Sequence, residues 1–146
     1  MQKIIDPNKI ALPEKEYLYT GKSQIENSGS GLFTAITIYK DEIIAIFKGK
    51  ILLATEAKLK AGVNRDDYFI NLLDGTIMDS ERSICFAKFA NDASGFSVSG
   101  FKNNAKIALD DANNVCLIAT KRIDATTEIF CSYGKRYWKK HKLNSK

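Results

Sequence analysis

Turn-forming residues interrupt the apolar segments of this 146-residue chain roughly every eight to twelve positions, and this spacing is what most limits the fold. Runs this short cannot build long helices, but they suit strands. Tyr17 to Thr20 has strand composition and is expected to stop at Gly21. Leu32 to Ile38 and Glu42 to Phe47 read as strands on either side of the turn Tyr39-Lys40-Asp41. Gly49 closes the second, and Ile51 to Leu53 resumes it. Tyr68 to Leu73 and Thr76 to Met78 flank the hairpin pair Asp74-Gly75. Ala105 to Leu109 and Val115 to Ala119 flank the polar Asp110 to Asn114, and Ile129 to Ser132 is the last strand expected.

One segment reads as a helix. Thr55 can cap the run Glu56 to Ala61, and Gly62 suits its end. Ile84 to Ala90 fits helix or strand equally, Tyr133 to Lys140 suggests a short terminal helix or turn, and residues 1–16 read as an extended lead-in. The class is mostly β, and the pattern alone suggests a small barrel or sandwich.

A chain of this length is expected to form one domain. It contains none of the roughly 18 to 20 uninterrupted apolar residues that a membrane span requires. The opening Met1 to Pro13 lacks the apolar stretch of a secretory signal, so the expected compartment is the cytoplasm, or the nucleus of a eukaryotic host. Cys85, Cys116 and Cys131 are far apart and form no C-x-x-C pair, and His141 is the sole histidine, so neither a disulfide framework nor a zinc site is expected. The net charge of +5 is unevenly placed. Six of the 22 basic residues and none of the 17 acidic ones lie in residues 135–146, which leaves the body at −1. Such a tail is either a solvated terminus or a contact for nucleic acid.

Several positions could carry chemistry. Gly29-x-Gly31 is either a plain turn or a backbone cradle for a charged ligand, since no Rossmann or P-loop context surrounds it. Tyr133, at a strand end before Gly134, could aim its hydroxyl into a cleft or simply end a core side chain. Asn91-Asp92 reads as a turn or helix end, and Trp138 as a stacking platform or as a staple for the tail. A histidine-dependent triad is not credible with His141 alone in the tail. Asp66, Asp67, Asp74, Asp79 and Glu81 match no paired-carboxylate pattern.

Taken in order, these features resemble the SET-domain protein lysine methyltransferases, in particular small single-domain members such as the viral and bacterial ones. Asn27-Ser28-Gly29-Ser30-Gly31-Leu32-Phe33, with Ile38-Tyr39-Lys40-Asp41-Glu42-Ile43-Ile44 after it, looks like the opening GxG-Leu-Phe and Lys-Gly-Glu pattern. Cys85 to Ala93 resembles the Ala-Arg-Phe-Ile-Asn-His-Ser segment, and Asn103-Asn104 falls where Pro-Asn is usual. Glu128-Ile129-Phe130-Cys131-Ser132-Tyr133-Gly134 and the residues to Trp138 are similar to the closing block.

The resemblance implies a SET (β-clip) fold of several small sheets with a C-terminal pseudoknot, occupying residues 20–138 between a lead-in of 1–19 and a basic tail of 139–146. It implies S-adenosylmethionine as cofactor, held by Gly29, Ser30, Gly31, Asn91, Asp92 and Trp138, and no metal. It implies Tyr133 as the catalytic tyrosine and Tyr68 as a channel-lining one. The partner is a lysine-containing protein or peptide substrate, with no membrane, and with nucleic acid only through the tail. Departures from the family pattern are Asp92 for histidine, Lys88 for arginine, Asn103 for proline, Asp41 and Thr126 for glycines, and Thr127 for a glutamate. They leave a second expectation open, a degenerate SET domain that binds cofactor or peptide without transferring a methyl group.

Overall fold

The computed structural model describes residues 8–26, 28–63, 68–72, 76–93 and 100–132. These form three small sheets instead of the barrel or sandwich that the strand spacing alone suggests. The chain opens with a single helical turn, α1 (Glu14–Tyr17), and then runs through β1 (Leu18–Lys22), β2 (Ser30–Thr34), β3 (Ile43–Ile46), β4 (Lys50–Leu52), α2 (Ala54–Gly62), β5 (Phe69–Asn71) and β6 (Ile77–Asp79). β7 (Ala105–Leu109), β8 (Val115–Ala119), β9 (Glu128–Ile129) and β10 (Cys131–Ser132) complete it. The strand orders are β1-β2-β9, β10-β7-β8-β3 and β4-β6-β5.

Several boundaries differ from expectation for local reasons. Gly21 does not stop β1, because it pairs with Gly31 in a ladder that continues to Lys22 and Ser30. Thr55 lies inside α2 and is not its cap. The first turn closes on Leu53, whose carbonyl accepts from the Ala57 N–H at 3.0 Å, and no side chain caps it. Ile84 to Ala90 is neither helix nor strand but an irregular segment ending in a 3-10 turn, Ala87–Phe89. Ala87 and Ala90 are buried there, while Ile84 is 94% exposed, so its burial follows neither a helical nor a strand period. The break at Phe130 divides the expected last strand between two sheets.

The lead-in is stitched to the body. The Asn8 carbonyl accepts from Ile43 N–H at 2.9 Å, the Glu14 carboxylate accepts from Ile46 N–H at 3.1 Å, and the buried Tyr17 hydroxyl donates to the Ile44 carbonyl at 2.6 Å. The main core lies between the first two sheets, where Leu32, Ile38, Ile44, Leu117, Ile123 and Ile129 are almost fully buried. Cys85, Cys116 and Cys131 are all buried thiols. Among the described residues no helix is long and apolar enough to cross a membrane.

One crossing organises the rest. Residues 128–132 pair antiparallel with β2 through Ile129 opposite Leu32, then meet Asn91 in a parallel bridge at Phe130, and then run parallel to β7 through Cys131 opposite Ala105. The Cys131 N–H donates to the Asn91 carbonyl at 2.9 Å, and the Asn104 and Ala105 N–H groups both donate to the Phe130 carbonyl at 3.0 Å. Three separate segments, β2, Asn91 and β7, thus share one short stretch of chain.

Candidate active site

The loop between β1 and β2 is closed by a hydrogen bond from Ser23 N–H to the Gly29 carbonyl at 2.8 Å. Gly29 has φ +62°, a left-handed conformation that glycine adopts without strain, and the space where its Cβ would lie is open. Gly31 is needed for a different reason. A Cβ there would lie 2.9 Å from Glu128 Cδ and 3.2 Å from Ser23 Cα. Glu128 is fully buried, accepting from the Ser23 hydroxyl at 2.7 Å and the Gln24 N–H at 2.7 Å. A buried carboxylate is tolerable only when its oxygens are bonded in this way. The glycine pair is therefore one open turn position and one close approach to a buried anchor.

Asn91 reaches this loop from the 3-10 segment. Its side-chain N–H donates to the Ser30 carbonyl at 3.0 Å, while its own carbonyl accepts from Cys131. Gly29, Ser30, Gly31 and Asn91 are thus brought together, with the β9–β10 strand behind them. Asp92 follows, 8% exposed, and accepts from the Asn103 side-chain amide at 3.0 Å. Asn104 is buried next to it. Its side chain donates to the Glu128 carbonyl at 3.1 Å and accepts from Phe130 N–H at 2.9 Å.

Tyr68 lies apart from this cluster, just before β5. The Lys88 ammonium stands 5.5 Å from the Tyr68 ring centroid and 5.4 Å from that of Phe89, and donates to the Glu81 carbonyl at 3.2 Å. The position where the family pattern has arginine therefore holds a cation against two aromatic faces.

Thr20 lines two hollows. One, of about 840 Å³, is lined by Gly21, Ser23, Ile25, Gly29 and Ser30; the other, of about 620 Å³, by Lys48, Cys85, Phe86, Lys88 and Phe89. The second is also lined by Glu14 and Lys15. Burial pushes the Glu14 carboxyl up, partly offset by the Ile46 N–H and by the charges of Lys48 and Lys9. The first hollow is polar and edged by glycines, and the second is more apolar with cations around it.

Tyr133 and Trp138 lie outside the described residues, as do Asp66, Asp67 and the basic tail. Sequence reasoning passed over Ser23, and met Glu128 and Asn103 only as positions of the family pattern, without their bonding roles. Glu128 stands at the edge of the last apolar run, after the exposed Thr126 and Thr127, and nothing in the sequence marks its carboxylate as buried. Among the described residues no three metal-ligating side chains come together.

No curated protein matches the chain. A family model described as SET domain matches residues 29–134, which spans the glycine loop, the Asn91 segment and the closing strand.

Proposed function

The chain belongs to the SET-domain family, and from that premise we propose that it is a protein lysine N-methyltransferase using S-adenosylmethionine. Members of this family are typically protein lysine methyltransferases that use S-adenosylmethionine, and they bind peptide or protein substrates. The observation that carries the reading for this chain is the hydrogen bond from Asn91 to the Ser30 carbonyl. It joins the two segments assigned to the cofactor into one wall, with the closing strand fixed behind it through Cys131.

The residues present fit such a ligand. Gly29 leaves its turn open on the side where a Cβ would stand, Ser30 lines the 840 Å³ hollow, and Asn91 is bonded to the Ser30 carbonyl. Lys88 and Lys48 border the other hollow, where a carboxylate would find a counter-charge. When bound, S-adenosylmethionine supplies an electrophilic methyl group for in-line displacement by an amine. The protein's part is alignment and delivery of a neutral amine. In this reading Tyr68 lines the passage for the target lysine, whose ammonium form is disfavoured by an aromatic, water-poor channel and by the resident Lys88 charge. Tyr133, directly after β10 in the sequence, is assigned to the reacting centre. Its hydroxyl orients the methyl group and stabilises charge beside it. Trp138 is assigned to flank the adenine. An extended peptide adding to a sheet edge is the simplest mode of substrate docking.

The test is methyl transfer from labelled S-adenosylmethionine to a lysine-containing peptide array, with wild type and Tyr133→Phe side by side. Transfer to lysine by the wild type, reduced at least a hundredfold in the variant while cofactor affinity stays within about tenfold, is expected. Cofactor binding with no transfer to any peptide or protein would instead assign the chain to the degenerate members of the fold.

A further inference from the structure

Two of the chain's departures from the family pattern face each other. Asp92 stands where the motif has histidine, and Asn103 where proline is usual. The Asn103 amide nitrogen donates to an Asp92 carboxylate oxygen at 3.0 Å, and its amide oxygen accepts from the Ala93 N–H at 2.8 Å. One planar side chain thus grips two successive residues, and proline at 103 could make neither bond. Asp92 is buried, Ala93 is 4% exposed and Asn103 is half-buried, so both contacts are partly shielded from water, which strengthens a bond to a charged acceptor. The next residue, Asn104, grips the opposite partner of the crossing, bonding to Glu128 and Phe130.

We infer that Asn103 is a positioning residue for the cofactor wall. It holds the Asp92 carboxylate on its own side of the chain and fixes the backbone of residues 91–93, which carries Asn91 to Ser30. The inference rests on the methyltransferase reading for what the wall binds, and on the two Asn103 bonds for how the wall is held. It accounts for the pairing of an aspartate at 92 with an asparagine at 103. A carboxylate at 92 needs a donor, and the amide at 103 supplies it.

The experiment measures S-adenosylhomocysteine affinity by calorimetry from pH 8 to pH 5 on wild type, Asn103→Asp and the double variant Asp92→Asn/Asn103→Asp. It also follows exchange of the Ala93 amide proton in Asn103→Ala without ligand. Asn103→Asp sets two carboxylates together and is expected to bind at least tenfold more weakly at pH 8. The loss shrinks toward pH 5, as a shared proton relieves the repulsion. The double variant restores a donor opposite the acid and brings affinity back to within about threefold of wild type. In Asn103→Ala the Ala93 proton exchanges at least tenfold faster. Wild-type affinity in a folded Asn103→Asp, or a defect that the double variant repairs in thermal stability but not in affinity, would overturn the inference. If wild type binds neither S-adenosylmethionine nor S-adenosylhomocysteine, the cofactor reading fails by itself. The exchange result then decides the positioning role, with unchanged Ala93 exchange overturning it.

Discussion

The side chain of Asn91 donates to the carbonyl of Ser30 at 3.0 Å across 61 residues of sequence. The same residue's carbonyl accepts from Cys131, so a single asparagine ties the glycine loop to the closing strand. Asn91→Asp keeps the size but cannot donate, and sets a carboxylate against a carbonyl oxygen. It is expected to lower S-adenosylhomocysteine affinity at least tenfold and stability by about 1–2 kcal/mol, read by calorimetry and urea unfolding. Unchanged values would remove Asn91 from the wall.

The two glycines of the loop are expected to answer substitution differently. Gly31→Ala drives a methyl group into Glu128 and Ser23. The buried carboxylate must then give up its bonds to Ser23 and Gln24, at a cost of about 2–4 kcal/mol in urea unfolding. Gly29→Ala meets no neighbour and pays only for its left-handed backbone, about 1 kcal/mol. Equal losses would contradict the separate roles assigned to them.

Glycines are usual in the family pattern at positions 41 and 126, and the backbone explains why, with φ +73° at Asp41 and +70° at Thr126. A β-branched residue is poorly suited to this conformation, whereas aspartate tolerates it. Thr126→Gly is therefore expected to raise stability by about 0.5–1 kcal/mol, or roughly 2 °C in Tm, and Asp41→Gly by less. A fall in Tm for Thr126→Gly would mean that the Thr126 side chain contributes more than its backbone strain costs.

The β7–β8 turn supplies a pH-dependent test. Burial acts to raise the Asp110 carboxyl, but the Asn114 N–H and side-chain amide and the Ala112 N–H outweigh it and hold the group below its ordinary value of 3.8. A carboxyl depressed by folding adds stability that is complete above the unfolded value and is lost as pH falls through the folded one. Asp110→Ala is expected to unfold at lower urea than wild type at pH 7, and the gap should narrow below about pH 4. A gap independent of pH would assign the effect to chain stiffness rather than charge.

Much of this was legible in the sequence because it depends on local composition. The β7–β8 hairpin lies where its apolar runs and polar turn put it, Ala105–Leu109 and Val115–Ala119. The 84–90 segment was not legible, because its conformation is set by what packs on Ala87 and Ala90 from other parts of the chain. Order along the chain was enough to single out Gly29, Gly31 and Asn91 through the family resemblance. Ser23, and the bonding roles of Glu128 and Asn103, emerged only from the fold, since a hydrogen bond across about a hundred residues, such as Ser23 to Glu128, leaves no local pattern.

The most direct test of the central claim is calorimetric titration of the folded chain with S-adenosylmethionine and with S-adenosylhomocysteine. Saturable binding of both at a single site, with micromolar affinity and at least tenfold weaker in Asn91→Asp, is the predicted result. Absence of binding by either ligand, in a sample whose cooperative unfolding proves it folded, would contradict the cofactor site and with it the methyltransferase reading.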